Sequence, residues 1–191
     1  MLHDLTDSYG VTSNHYYMDI MKVPESRYKG TLSPSFGYIS YPHAVMTPHL
    51  YVPSWLKKTK GGEQLSWEYY NYTHAVFHCT GLGFRGFRKI ETEDVINKRL
   101  MTSVFDPELL GAEIKKETPT DTVVRKYVLE RAQDKTILLK LQKETVKNAL
   151  NETEKVTRYE HNGYGQVVAV STSCGVLKET KSHGYENVEN S

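Results

Sequence analysis

Along residues 64–182 apolar and polar positions alternate in short runs, the period of two that a half-buried strand requires. Trp67 to His78 is dense in aromatic and β-branched residues, which suit a pleated surface. Phe84–Glu93 and Leu100–Phe105 follow as further strands, separated by turn signals. Pro107 and Gly111 mark a break. Val123–Arg131 then places Val123, Tyr127 and Leu129 on one face. Residues 136–150 carry two readings. Ile137, Leu139 and Leu141 alternate as in a strand, while Leu138, Leu141, Thr145 and Ala149 would line one side of a helix. Recurring threonine and valine favour the strand.

Residues 158–172 read strand, glycine turn, strand, with Asn162-Gly163 as the hairpin signal because both residues tolerate positive φ. Ser173-Cys174-Gly175 is a further turn and Val176–Lys181 a further strand. Tyr185-Glu186-Asn187 weakly repeats Tyr159-Glu160-His161-Asn162. Before residue 63 the pattern is broken. Five of the seven prolines lie in the first 53 residues, which predicts short edge strands, turns and extended connections. Lys57–Glu63, with its Gly-Gly and lysines, predicts a solvated turn. The expected organisation is a Tyr- and Pro-rich irregular β region over 1–62 and a repeat-like sheet over 63–191.

The chain has 191 residues, 38% of them hydrophobic and 11% aromatic, and a net charge of +1. The apolar share is low for a lone globule, yet the aromatic share is too high for a disordered chain. Near-neutrality disfavours nucleic acid and a polybasic membrane surface. No apolar run reaches the roughly 20 residues of a membrane-spanning helix, and the first 30 residues predict no signal peptide within this chain. Cys79 and Cys174 read as two unrelated thiols.

Gly81-Leu82-Gly83-Phe84-Arg85-Gly86 spells GxGxxG, with Asp106 twenty residues beyond Gly86. A dinucleotide site needs a helix to start at the glycines, so that its amino end holds a pyrophosphate. Here a charged strand pattern follows, so no such cofactor is expected. Glycine at 81, 83 and 86 instead predicts a sharp bend or a close backbone approach, with Phe84 and Phe87 plugging into a neighbouring sheet.

The set Tyr70-x-Tyr72, Ala75, Gly81-x-Gly83-Phe84-x-Gly86-Phe87 and Asp94 resembles a signature of the Rhs/YD-repeat superfamily. There a Tyr-x-Tyr strand and an alanine precede a Gly-x-Gly-Phe-x-Gly-Phe element and an acidic residue. The pattern is similar to that in the B components of insecticidal Tc toxins and in wall-associated bacterial proteins. Tyr159 with Gly163 and Gly165 resembles a degenerate YD repeat, with Glu160, His161 and Gln166 where that repeat has Tyr, Asp and Asn. The resemblance covers roughly residues 65–188.

It implies a mainly β fold, a curled antiparallel meander of stacked hairpins forming part of a shell. It also implies a non-enzymatic structural role in a large exported protein, extracellular or in the cell envelope. The partners would be the rest of the parent polypeptide and a variable, toxin-like carboxy-terminal module. Exposed strand edges would permit self-association. A rival reading is a surface module that grips a glycan or a protein through exposed tyrosines. Of the 14 tyrosines, ten precede position 73, and packing across strands explains them equally. His74 and His78 are metal candidates by their spacing, but a tetrahedral site needs further ligands, so structural or surface roles are expected. Asp106-Pro107 reads as a simple turn. No nucleophile elbow, zinc-protease helix motif or P-loop is present, so no catalytic residue is assigned. Asn71 and Asn151 open sequons by letter, relevant only to a eukaryotic secretory route.

Overall fold

A computed structural model describes residues 2–30, 39–131 and 136–182. Among them there are fourteen strands and no helix. They are β1 (Leu2–Thr6), β2 (Val11–Asp19), β3 (Tyr28–Lys29), β4 (His43–Val45), β5 (Tyr51–Lys60), β6 (Glu63–His78) and β7 (Gly83–Asp94). The chain continues through β8 (Arg99–Asp106), β9 (Ala112–Glu117), β10 (Asp121–Arg131), β11 (Ile137–Asn148), β12 (Glu154–His161), β13 (Val167–Cys174) and β14 (Leu177–Ser182). Their hydrogen-bonded order is β1-β2-β5-β6-β7 and onward to β14, an open antiparallel sheet, with β3 and β4 also joined to β6. The chain divides into two compact units, Met1–Glu113 and Ile114–Ser191. The 62/63 division falls at the β5–β6 turn.

In the first unit β6 is the organising strand. One edge pairs with β7. The other is taken in succession by β5, by β3 in parallel, and by β4. A 16-residue strand offers more ladder than one partner of ordinary length fills, so three segments share it. The core sits over its middle: Met18, Ile20, Tyr28, Val52, Tyr72, Ala75 and Phe87, flanked by Val23, Leu50, Tyr70, Phe77 and Ile90. Tyr28 ties two of the segments together. Its hydroxyl donates to Met46 O (2.9 Å) and accepts from Ala75 N (3.2 Å).

The amino-terminal region is more regular than its prolines suggest. β2 has nine residues and β5 ten. Pro53 is tolerated inside β5 because the β2–β5 register slips there, Tyr16 facing Trp55 and Tyr17 facing Pro53. The solvated turn expected over 57–63 shrinks to Gly61-Gly62, both at positive φ (57° and 87°). Lys57 and Lys60 belong to the ladder, facing Trp67 and Glu63. A two-residue loop with positive φ twice matches the strand twist, and only glycine takes it at no steric cost.

The second unit is a plain meander, β10 to β14 in chain order. The ambiguous segment 136–150 is strand β11 over Ile137–Asn148. Pairing on both sides decides it, with β10 along its length and β12 over its second half. Among the described residues of this unit the buried ones are Lys140 and Thr157, and neither is apolar. Lys140 pairs with Glu130 and donates to Asn162 O (3.3 Å). The Tyr185-Glu186-Asn187 echo and Pro34 lie outside the described residues.

Asp19 links β2 to the loop before β5. Its carboxylate lies 3.0 Å from His49 Nδ1 and accepts Met21 N at 3.1 Å, within a nearly buried side chain. The His49 hydrogen bond holds its pKa below the ordinary carboxylate value, against the opposing effect of burial. A depressed folded pKa contributes stability above the unfolded pKa that is lost as pH falls through the folded one. Asp19→Asn is therefore expected to lower stability at neutral pH and to flatten the acid limb. Urea midpoints measured from pH 7 downward test this; an unchanged acid limb would assign no part of it to Asp19.

Candidate functional site

The glycine-rich element lies at the β6–β7 corner. Gly83 opens a strand, not a helix. Ala75 faces Phe87 and Phe77 faces Phe84, so one residue of β6 opposes the pair Arg85-Gly86 on β7. That is a β-bulge, and Gly86 takes φ +95° within it. Its consequence is a change of parity. In a regular strand residues three apart point to opposite faces. Across the bulge Phe84 and Phe87 come together, ring centroids 5.5 Å apart. Phe84 also meets Phe77 at 5.1 Å, and Phe87 meets Tyr72 at 4.6 Å and Tyr28 at 6.4 Å.

Phe87 is buried, whereas Phe84 stays 42% exposed and does not plug a sheet as expected. A Cβ added at Gly81, Gly83 or Gly86 would meet nothing within 4 Å. Positive φ, not close approach, is what requires glycine there (107°, 68° and 95°). The close approach occurs at Gly111, which the sequence marked only as a break. A Cβ there would lie 2.6 Å from Arg85 O. The β8–β9 turn thus seats its glycine on the bulged strand, and Gly111 N bonds Asp106 O at 2.9 Å.

The remaining motif residues have local duties. Tyr72 is buried and its hydroxyl donates to Pro53 O at 2.8 Å. Tyr70 is half-buried and donates to Glu68 Oε2 at 2.7 Å. Burial pushes both phenols well above their ordinary pKa, with the Glu68 hydrogen bond adding to the rise at Tyr70. Tyr72→Phe should cost about 1 kcal/mol, the net worth of one hydrogen bond. Denaturant titration measures it, and a neutral change would remove Tyr72 as a tie to β5.

Asp94 closes the β7–β8 turn. Oδ1 accepts Ile96 N and Asn97 N (3.1 Å each), and Oδ2 accepts the Asn97 side-chain amide (2.7 Å). The Asn97 hydrogen bonds hold its pKa down. In the second unit Asn162 caps the β12–β13 turn through Oδ1, which accepts Tyr164 N and Gln166 N at 3.0 Å each. The positive φ falls on Gly165 (82°), and Gly163 is not in the left-handed region. An Asx turn therefore closes the β12–β13 hairpin that the Asn-Gly pair predicted, with the positive φ on Gly165 and not on Asn162 and Gly163. Tyr159 lies half-buried nearby on β12, and burial followed by the Glu144 carboxylate raises its pKa.

His74 and His78 have separate surroundings. His74 is fully buried at φ +52°. His78 is half-buried, faces His43 across the β4–β6 ladder with ring centroids 5.0 Å apart, and has Thr80 Oγ1 3.1 Å from Nδ1. Burial, then His43 and Arg85, lower its pKa. Among the described residues no group of three His, Cys, Asp or Glu is placed to hold a metal ion. His43 also lines a shallow pocket with Ile39, Arg88, Asp106, Pro107 and Glu108. Its acidic residues belong to the β8–β9 turn, where Asp106 Oδ1 accepts Glu108 N at 2.9 Å. Cys79 and Cys174 are exposed free thiols.

The tyrosines divide. Tyr28 and Tyr72 are core residues, while Tyr9, Tyr41, Tyr51 and Tyr164 are exposed. One aromatic row crosses β2, β5 and β6: Tyr16 faces Trp55, which faces Tyr69. Tyr16 stacks on Trp55 at 5.6 Å, and Trp67 meets Tyr69 at 5.2 Å. The Arg27 guanidinium lies 4.3 Å over Tyr69 and Lys57 Nζ lies 5.7 Å over Trp67. These rings are spent on one another and on the chain's own cations. Among the described residues no helix is long and apolar enough to cross a membrane. No family model, no curated protein and no solved structure matches the chain.

Proposed function

We propose that this chain is a non-enzymatic structural β segment of a larger exported protein, a stretch of Rhs/YD-repeat-like shell wall that encloses or presents another module. One observation carries the reading. The second unit is a five-strand meander with no buried apolar side chain among its described residues. A sheet whose apolar side chains are at most half-buried gains less from folding alone and is stabilised by what lies against it.

The surface available for that is laid out by register. Alternation places Val123, Tyr127, Leu129, Leu139, Leu141, Val146 and Val170 on one face with Tyr159, around the Arg125–Glu144 ion pair and Thr157. The motif residues act in keeping with this role, since Gly86, Asp94, Asn162 and Gly165 set bends and turns. The aromatic row supports packing over glycan capture, because Tyr69 and Trp67 already carry Arg27 and Lys57 on their rings. The compartment and the enclosed module follow from the resemblance alone.

Amide hydrogen exchange on the intact chain tests the proposal. Strands β10–β14 are expected to exchange far faster than β6 and β7, with strong binding of a hydrophobic dye. Equal protection of both units in a monomeric, dye-silent chain would make it a self-sufficient domain and overturn the reading. A reproducible glycan-array signal abolished by Tyr16→Ala or Tyr51→Ala would replace it with a binding module.

A further inference from the structure

Two adjacent register rows of the second unit treat charge in opposite ways. In one, Arg125 faces Glu144, Glu144 faces Thr157, and the row runs on through Thr172 to Glu179. Its first pair is an ion pair, Arg125 Nε to Glu144 Oε2 at 2.8 Å. The next row reads Lys126, Lys143, Arg158, Ser171, Thr180 across β10 to β14. It contains three cations on three neighbouring strands and no carboxylate. Among the described residues none of the three makes an ion pair or a side-chain hydrogen bond. Glu160, two residues beyond Arg158, does not pair with it.

Residues directly opposite in antiparallel strands point to the same face, with Cβ atoms about 5 Å apart, and like charges so placed repel. Lys126 and Arg158 are exposed and Lys143 is half-exposed, so the repulsion is screened only in part. A near-neutral chain that alternates charge in one row and stacks cations in the next has left a local site for negative charge. Two hydroxyl donors, Ser171 and Thr180, extend the same line. At about 4.8 Å per strand the five positions span roughly 19 Å.

We propose that the Lys126–Lys143–Arg158–Ser171–Thr180 row is a binding track for a linear polyanion bearing phosphate or sulfate groups. Arg158 supplies a forked donor, and the two lysines supply point charges to successive oxyanions. The flanking positions on that face, Val124, Thr145, Val156 and Ser173 on one side and Val128, Lys140, Glu160 and Ala169 on the other, offer no aromatic ring on which a base would stack. Tyr127 and Tyr159 lie on the opposite face. The occupant is therefore a phosphorylated or sulfated polymer and not a single-stranded nucleic acid. This holds independently of the shell reading.

The test is titration of the intact chain with inorganic polyphosphate, with heparin and with oligothymidine of matched charge, at low and at physiological salt. Polyphosphate or heparin should bind, with affinity falling as salt rises, and whichever binds more tightly separates phosphate from sulfate as the natural group. Lys126→Gln/Lys143→Gln/Arg158→Gln together should weaken binding by about tenfold or more. Lys155→Gln, three residues before Arg158 on β12 and on the opposite face, should change it less than about twofold. The ligand should raise the melting temperature of the wild type but not of the triple variant. The triple variant itself should melt no lower than wild type, because it relieves repulsion, and this guards against mere misfolding. Loss of affinity equal in Lys155→Gln, unchanged affinity in the triple variant, failure of both polymers to bind, or oligothymidine binding as tightly as polyphosphate would each overturn the proposal.

Discussion

Replacing Phe87 by alanine is expected to cost about 3–5 kcal/mol, the range for truncating a buried aromatic ring. Phe87 is 8% exposed and joins Tyr28, Tyr72 and Phe84 through ring contacts, so its loss opens the centre of the first unit's core. Against a total stability of about 5–15 kcal/mol for ordinary domains, this approaches unfolding. The instructive comparison is Phe84→Ala. Phe84 sits three residues away in the same motif but is 42% exposed. Urea denaturation should give it less than half the Phe87 value. Equal costs would mean the two rings act as one plug, and the division between a core ring and a rim ring would be wrong.

Gly111→Ala should destabilise by about 3 kcal/mol, for two separable reasons. The residue sits at φ +76°, where an L side chain costs roughly 1–2 kcal/mol. The added Cβ would also stand 2.6 Å from Arg85 O, a backbone atom of the bulged strand that cannot swing away. Gly61→Ala isolates the first contribution. Its φ is +57° and nothing lies within 4 Å of the new atom, so about 1 kcal/mol is expected. Thermal melts of the pair measure the difference. If both cost the same, the β8–β9 turn does not rest on β7 as described.

Much of the architecture was written in local pattern. Alternation and β-branched residues marked the strands of 64–182, and glycine pairs marked several turns, because both signals depend only on neighbours within a few residues. The proline-rich start misled in one respect. Pro53 suggested short edge elements, but a register slip against β2 let a ten-residue strand absorb it, and slips are properties of a strand pair. The Gly-Phe motif was legible as a bend. Its purpose, bringing Phe84 and Phe87 onto one face, was not, because parity is counted against the partner strand. His78 was visible as a ligand candidate, yet its actual neighbour His43 is 35 residues earlier and is supplied by the β4–β6 register.

By itself the amino-acid sequence determined that this is an all-β chain of hairpins with glycine-set corners, since side-chain alternation and positive-φ demand act residue by residue. Tertiary structure alone decided which rings are core, why Gly111 admits no side chain, and that Lys126, Lys143 and Arg158 share one row. Those facts depend on which strand lies beside which and in what register. Register is set by the summed fit of whole ladders and bulges, a quantity no short window of residues contains.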